Sequence, residues 1–180
     1  MKDFQTEVKP DMRRVLLDWI VQVHQRFSML PETLFLAVNY IDRFLSKKVV
    51  SLGKLQLVGA TALLLAAKFE EVNAPTVAEM VYMVDEAYDT NEVVKAEEFM
   101  LKHLEWNMQF PGPMSFLRRI SKADDYDIQV RTLAKYILEV IMMNYDLAHL
   151  SPSMAAAGAI CVSRFMLNRG SWVGLPRFLL

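Results

Sequence analysis

The sequence predicts an all-α protein, and three observations support this fold class. Apolar residues recur at helical spacing, and no segment alternates apolar and polar residues for long. Glycine and proline interrupt these patterns rarely, with six glycines and seven prolines in 180 residues. Hydrophobic residues make up 53% of the chain, which is enough to build a packed core. We therefore expect helices packed against helices and no sheet.

Five helices are predicted in the first part of the chain. The connections between them are short, as in neighbouring helices of a bundle. The predicted segments are 12–27, 31–46, 52–71, 76–85 and 90–106.

Polar residues mark the starts of three of these helices. Ser51 is a candidate N-cap for the third helix. Thr76 with Glu79 has the spacing of a capping box, and Asp89 with Glu92 offers a similar start for the fifth helix.

A Pro-Gly-Pro run at residues 111–113 marks the predicted domain boundary, because two prolines and a glycine in three residues interrupt any helix. Further helical patterns follow at 114–121, 127–147 and 152–168.

Composition argues against several classes of partner. The formal net charge is -1, so no excess of basic charge is available for nucleic acid or for an anionic membrane. The longest uncharged apolar run, 57–67, is shorter than the roughly 20 residues that cross a bilayer. The single cysteine, Cys161, has no partner for an intrachain disulfide, which favours a reducing compartment. We expect no nucleic acid, no membrane, and a location in the nucleus and cytoplasm.

The sequence carries no recognisable catalytic or metal-binding pattern. His24, His103 and His149 lie on separate segments, and no metal-ligand pair, phosphate loop or nucleophile motif is present. Adjacent acids such as Glu70 and Glu71 point in different directions on a helix and favour a solvated face. We expect no enzymatic activity, no cofactor and no metal.

The first predicted helix has more apolar surface than one core contact needs. Its apolar residues cover an arc of about 240°, more than twice the width that a surface helix usually buries. Either this helix is packed on all sides, or one flank is exposed to a partner. The exposed flank would consist of Met12, Val15, Leu16 and Trp19.

A charged residue interrupts this arc. Arg13 projects near its middle, where an unpaired guanidinium would be very costly. Asp42 lies beside the apolar stripe of the second helix and is the natural partner. We expect a structural ion pair.

Four segments of the first part resemble the cyclin family, in the family's order and spacing. Residues 12–19 read M-R-R-V-L-L-D-W and resemble the opening of a cyclin box, and 39–45, N-Y-I-D-R-F-L, resemble its second-helix signature. Residues 54–59 and 66–71 resemble the two ends of the third helix. In the second part, 116–122, 132–136 and 144–146 resemble B-type cyclins in particular.

The resemblance implies two tandem five-helix cyclin folds, the second incomplete. Residues 1–11 would be the remnant of an N-terminal helix, 12–110 the first cyclin box, and 111–180 part of the second fold. Trp172 would open a further helix that only eight residues follow.

The resemblance also assigns two surfaces, and it places Arg13 and Asp42 in the family's internal ion pair. The kinase-binding residues it implies are Leu65, Lys68, Phe69, Glu97, Leu101, Trp106 and Met108. From the residues alone, Lys68 and Glu97 would be a surface ion pair of little energetic value. The implied docking patch for substrates and inhibitors with Arg/Lys-x-Leu motifs comprises Met12, Val15, Leu16, Trp19, Gln22 and Gln56.

The function implied is that of a regulatory subunit. It would bind and activate a cyclin-dependent protein kinase and help to recruit substrates in G2/M control of the cell cycle, while the catalytic residues lie on the kinase. Two alternatives remain open at this point. One is a transcription factor that binds DNA through the same fold, as general transcription factor B does, and the other is a cyclin-box protein that binds partners without activating a kinase.

Overall fold

A computed structural model of the chain describes residues 5–170 and bears out the predicted all-α fold. Within that range no residue lies in a β-strand. The described residues form eight α-helices: α1 (Pro10–Arg26), α2 (Pro31–Lys47), α3 (Leu55–Glu70), α4 (Val77–Met83), α5 (Thr90–His103), α6 (Pro113–Ala123), α7 (Ile128–Met143) and α8 (Pro152–Met166).

The chain divides into two compact units between Phe110 and Pro111. This boundary lies next to the Pro-Gly-Pro run, as the sequence predicts. The first unit contains α1 to α5, and the described part of the second contains α6 to α8. The helix predicted to open at Trp172 lies outside the described residues.

Helix α3 is the centre of the first unit. Every residue from Leu57 to Ala67 is buried, because α1, α2, α4 and α5 all pack against this helix. By length and composition alone the stretch Leu52–Glu70 would qualify as a membrane span, but 67% of its most apolar window is buried inside the unit. This burial is typical of a core helix in a folded domain.

Two of the three predicted helix caps are present. The side chains of Thr76 and Glu79 form a complete capping box at α4, and Asp89 and Glu92 form another at α5. The prediction for Ser51 is wrong. A short 3-10 turn, Leu52–Lys54, separates this residue from α3, and its side chain makes no capping hydrogen bond.

The predicted end of the fifth helix, at residue 106, is also wrong. Helix α5 ends at His103, because Glu105 and Trp106 adopt the left-handed conformation, with φ angles of 57° and 55°. No glycine marks this turn, so the sequence pattern gave no stop signal.

In the second unit, α8 packs against both α6 and α7. The core consists of apolar side chains from all three helices: Leu117, Ile120, Val130, Ala134, Leu138, Ala156, Ala159 and Ile160. Arg164 of α8 pairs with Asp124, which follows α6, and this ion pair is largely buried.

The segment before α1 is tied to the connection between α2 and α3. The buried side-chain amide of Gln5 donates hydrogen bonds to the carbonyls of Leu45 and Lys48. Its oxygen accepts a 3.0 Å hydrogen bond from the backbone N–H of Val50. These bonds fix the backbone of residues 45–50.

Candidate functional site

One candidate surface lies where α3 meets α5, and an ion pair marks it. Lys68 Nζ is 2.5 Å from Glu97 Oε1. The lysine side chain is 43% exposed, whereas the glutamate is only 14% exposed. An ammonium has three donors, so Lys68 can bond a partner while it remains paired with Glu97.

The family resemblance groups this pair with large apolar side chains of α3, of α5 and of the segment after α5, and we call these residues together the α3–α5 surface. Phe69 and Trp106 are exposed, while Leu101 and Met108 are half-buried. Leu65 is buried and therefore lies beneath the surface, where it supports the exposed residues instead of offering its own side chain. The described chain thus leaves two aromatic rings in solvent on or directly after the helices that carry this partly buried ion pair, and exposed aromatic rings are typical of protein-binding sites.

Two side chains of α2 hold the segment that carries Trp106. Arg43 donates hydrogen bonds to the carbonyl of Asn107, at 2.9 Å, and to that of Leu104, at 3.3 Å. Since these carbonyls flank the two left-handed residues, Arg43 stabilises the turn that presents the Trp106 ring.

Tyr40 makes a third connection to this segment. Its hydroxyl donates a 2.7 Å hydrogen bond to the carbonyl of Met108. Burial raises the pKa of Tyr40, so the hydroxyl keeps its proton and continues to donate this bond. Sequence reasoning assigned no role to Tyr40 or Arg43. Both are polar residues of the second-helix signature, where most side chains are buried. Polar side chains in such a helix need hydrogen-bond partners, and this was the signal that the sequence offered.

The second candidate surface is a groove between α1 and α3, with a cavity of about 480 Å³. We call it the α1–α3 groove. Its lining residues are Asp11, Met12, Val15, Leu16, Trp19, Leu52, Leu55 and Gln56.

The groove decides between the two interpretations of the first helix. Val15 is 71% exposed, and Met12 and Trp19 are half-buried, so α1 is not packed on all sides. The expectation that Leu16 is exposed is wrong, because its side chain is 5% exposed and forms the floor of the groove. Gly59 makes this close packing possible, since a Cβ atom there would lie 2.7 Å from Cδ1 of Leu16.

One member of the expected patch lies outside the groove, and three lining residues were missed. Gln22 is not among the lining residues and donates a 3.2 Å hydrogen bond to Asp18 one turn earlier. The missed residues are Asp11, Leu52 and Leu55. The available signal for Asp11 was its position four residues before Val15, which places both on one side of a helix.

The structural ion pair lies in the interior. Nε and Nη2 of Arg13 are 2.6 and 2.7 Å from the two carboxylate oxygens of Asp42. Arg13 is 1% exposed and Asp42 is 34% exposed. This bidentate ion pair joins α1 to α2 and fixes the orientation in which α1 places its other side chains along the groove.

Two of the three histidines, His24 and His103, are engaged with the backbone, and residues 5–170 show no metal site. His24 Nε2 lies 2.8 Å from the carbonyl of Leu30, and His103 Nδ1 lies 2.7 Å from that of Phe99. Across residues 5–170, no group of histidine, cysteine, aspartate and glutamate is arranged to hold a metal ion. The geometry defines a helical binding module with two candidate partner-facing surfaces.

Comparison with known proteins identifies the family. The model of the cyclin N-terminal domain matches residues 1–109, and the model of the cyclin C-terminal domain matches residues 111–175. The chain therefore belongs to the cyclin family.

Curated relatives also support the expected B-type resemblance. The chain is 58% identical to G2/mitotic-specific cyclin-4 of Candida albicans, in an alignment that covers 98% of this chain and 36% of that protein. It is 54% identical to G2/mitotic-specific cyclin cdc13 of Schizosaccharomyces pombe, over 94% of this chain and 35% of that protein. The chain thus spans about a third of the length of the curated relatives it matches.

Solved structures share the fold. A viral cyclin from herpesvirus saimiri superimposes with a TM-score of 0.85 at 26% identity, over 94% of this chain and 76% of that one. The yeast RNA Pol II CTD kinase complex CTDK-1 contains a chain that superimposes with a TM-score of 0.81. That alignment covers 95% of this chain and 60% of that one, and its 12% identity supports the fold alone.

Proposed function

We propose that this chain is the part of a G2/mitotic cyclin that binds and activates a cyclin-dependent protein kinase, and that the α3–α5 surface makes the contact. The observation that carries the proposal is the Lys68–Glu97 pair across α3 and α5, together with the solvent-exposed rings of Phe69 and Trp106. The G2/mitotic cyclins among its relatives support the choice of partner.

The proposed mechanism is a population shift in the kinase. A protein kinase is active only when a glutamate of its C-helix reaches the lysine that positions ATP. A partner that binds the inward position of that helix more tightly than the outward one favours the active state by the difference in binding free energy. Lys68 and Glu97 would bond the polar groups of the C-helix, while Phe69 and Trp106 bury their rings against it. The catalytic groups would lie on the kinase.

The first test is a double charge reversal, Lys68→Glu with Glu97→Lys. Lys68 is 43% exposed, and the reversal keeps opposite charges at the two positions, so the pair can form again beside the partly buried Glu97 position and the variant should fold. We expect it to lose co-purification with a cell-cycle kinase and to lose stimulation of histone phosphorylation.

A second ion pair on α5 provides a matched control. Glu98 and Lys102 are 2.5 Å apart, and both are more than 60% exposed. The reversal Glu98→Lys with Lys102→Glu should bind and activate the kinase normally.

Normal kinase binding by the folded Lys68/Glu97 variant would reject the assigned surface. Binding without stimulated phosphorylation by the unmodified chain would favour a cyclin-box protein that does not activate its partner.

The proposal extends to the α1–α3 groove as a docking site for segments with an Arg/Lys-x-Leu motif. The motif's leucine would pack on Leu16 and Trp19, which contributes about 1.5–3 kcal/mol before ordering costs. The carboxylate of Asp11 supplies negative charge for the basic residue of the motif. Docking of this strength is weak by itself and acts by raising the effective concentration of the substrate at the kinase.

Trp19→Ala tests this docking role. We expect slower phosphorylation of substrates that carry the motif, with unchanged kinase binding and unchanged activity on a short peptide that lacks it. Because Trp19 is half-buried, Val15→Asp is a second variant, and its side chain is 71% exposed, so the substitution leaves the core intact. Equal losses on both substrates in the two folded variants would contradict docking at this groove.

The remaining expectations are proposals as well. We propose that the protein works in the nucleus and cytoplasm, which a fluorescent fusion to the full-length protein would test.

The alternative of a DNA-binding factor is disfavoured by the net charge of -1. Retention on DNA at low salt that falls steeply as salt is added would support that alternative instead.

A further inference from the structure

A second cavity in the first unit, of about 300 Å³, lies away from the α1–α3 groove. It opens between the end of α2, the first half of α3 and the middle of α5. Its lining residues are Phe44, Lys48, Val49, Val50, Ser51, Lys54, Leu57, Val58, Thr61, Ala96, Phe99 and Met100.

A buried hydroxyl without a partner lies behind the cavity wall. Thr61 is fully buried, and its Oγ1 has no hydrogen-bond partner among the described residues. A threonine inside a helix usually donates to a carbonyl three or four residues earlier, but Thr61 does not make this bond. The Oγ1 atom has almost no accessible surface, so this hydroxyl is enclosed by the surrounding side chains and is not a group that a bound ligand reaches.

A lysine supplies positive charge at the same cavity. Lys48 Nζ lies 5.8 Å from the centre of the Phe99 ring. No carboxylate within residues 5–170 is recorded within 4.0 Å of it. Lys54, the other lining lysine, is already paired with Glu92 at 2.9 Å. The positive charge of Lys48 is therefore the one that an anionic ligand would neutralise.

The wall that carries Lys48 is held in place. The side-chain amide of Gln5 bonds to the backbone at Leu45, Lys48 and Val50. The ring of Phe44, one helical turn before Lys48, packs edge to face on the ring of Phe99, with centres 6.0 Å apart. A preformed wall lowers the ordering cost of binding.

We propose that this cavity binds a small organic anion with an apolar body. The anionic group pairs with Lys48, and the apolar body packs against Leu57 and Met100. The volume is at the lower end of the range for small-molecule sites, and mostly apolar walls with a few polar groups are typical of such sites. It is too small for a folded segment of another protein.

The site lies on the two helices that carry Lys68 and Glu97. Thr61 precedes Lys68 by two helical turns, which corresponds to about 10 Å along α3, and Ala96 is the neighbour of Glu97. A ligand here would sit between α3 and α5. Its binding does not depend on the proposed kinase contact and can be measured without any kinase.

The test uses 4-phenylbutyrate as the probe and its uncharged amide as the matched control. Methyl NMR of the full chain should show shifts at Leu57, Val58 and Met100 on titration with the acid. Methyl groups of the α1–α3 groove, at Met12 and Val15, should stay unchanged. A ligand of this size should have a dissociation constant of about 1 mM. The acid should bind about fivefold more tightly than the amide, as expected for a partly exposed ion pair.

Two substitutions identify the groups responsible. Lys48→Gln should remove the difference between the acid and the amide. Ala96→Leu should fill the cavity and abolish the shifts at Leu57 and Val58, while the circular dichroism spectrum remains that of the parent. Absence of shifts, shifts confined to the α1–α3 groove, or equal binding of acid and amide in the parent chain would each overturn the proposal.

Discussion

At the scale of single residues, the ion pair of Arg13 and Asp42 shows what a sequence pattern can predict. A guanidinium in the middle of an apolar arc requires an acid, and Asp42 lies in the second-helix signature beside a buried stripe. The structure joins the two side chains through two hydrogen bonds. Helical spacing thus predicted this contact, because the cost of an unpaired buried charge leaves few alternatives.

Asp42→Asn tests the energetic importance of this pair. The substitution keeps the shape of the side chain but removes the negative charge facing Arg13. Losing one member of a fully buried pair costs about 3–5 kcal/mol. Because Asp42 is 34% exposed, we expect a smaller loss, about 2 kcal/mol. Urea unfolding followed by circular dichroism measures it. An unchanged midpoint would show that Arg13 finds equivalent partners elsewhere.

Other residues could not be assigned from the pattern. Lys68 and Glu97 were identified through family resemblance, since from the residues alone they are an ordinary surface pair. Leu16 was expected at the surface, but the close approach allowed by Gly59 buries it. Gln22 was expected in the docking patch, but its side chain bonds to Asp18. The burial of Leu16 depends on the packing of α1 against α3, which helical periodicity does not contain.

At the scale of helices, starts were easier to predict than ends. The capping boxes at Thr76 and Asp89 depend on residues three positions apart, so the sequence contains all the information. The end of α5 depends instead on Arg43 and Tyr40, more than 60 residues earlier in the chain. These tertiary hydrogen bonds stabilise two left-handed residues that local preference disfavours.

Arg43→Gln tests whether α2 positions Trp106. The shorter amide cannot reproduce the two hydrogen bonds of Arg43 to the carbonyls of Leu104 and Asn107. We expect a loss of stability of about 1–2 kcal/mol and faster hydrogen exchange of the amides at 104–108. Kinase association should weaken because the Trp106 ring is less well ordered.

Arg14→Gln serves as the control, since it changes an exposed arginine of α1 in the same way. It should affect neither hydrogen exchange nor kinase association. Unchanged exchange at 104–108 in the Arg43 variant would show that the left-handed turn forms without help from α2.

At the scale of the whole molecule, the chain consists of two units with separate cores. In the first unit, helices on all sides bury α3. In the described part of the second unit, α8 packs on α6 and α7 and leaves Met154, Val162 and Phe165 exposed. The resemblance to a five-helix repeat predicted this division, and the Pro-Gly-Pro run placed its boundary.

Limited proteolysis should therefore cleave the chain first near residues 109–113. A protease needs a locally unfolded stretch, and the connection 107–112 contains no helix, while Gln109 and Pro111 are exposed. Subtilisin is a suitable protease because its broad specificity tolerates the nearby prolines better than a protease that requires one residue type. Mass spectrometry should detect an early fragment that ends near residue 110.

That fragment should persist longer than its C-terminal counterpart, because its central helix is covered on all sides, whereas α8 exposes apolar side chains to solvent. Uniform resistance of the chain, or first cleavage inside α3, would contradict this order of stability.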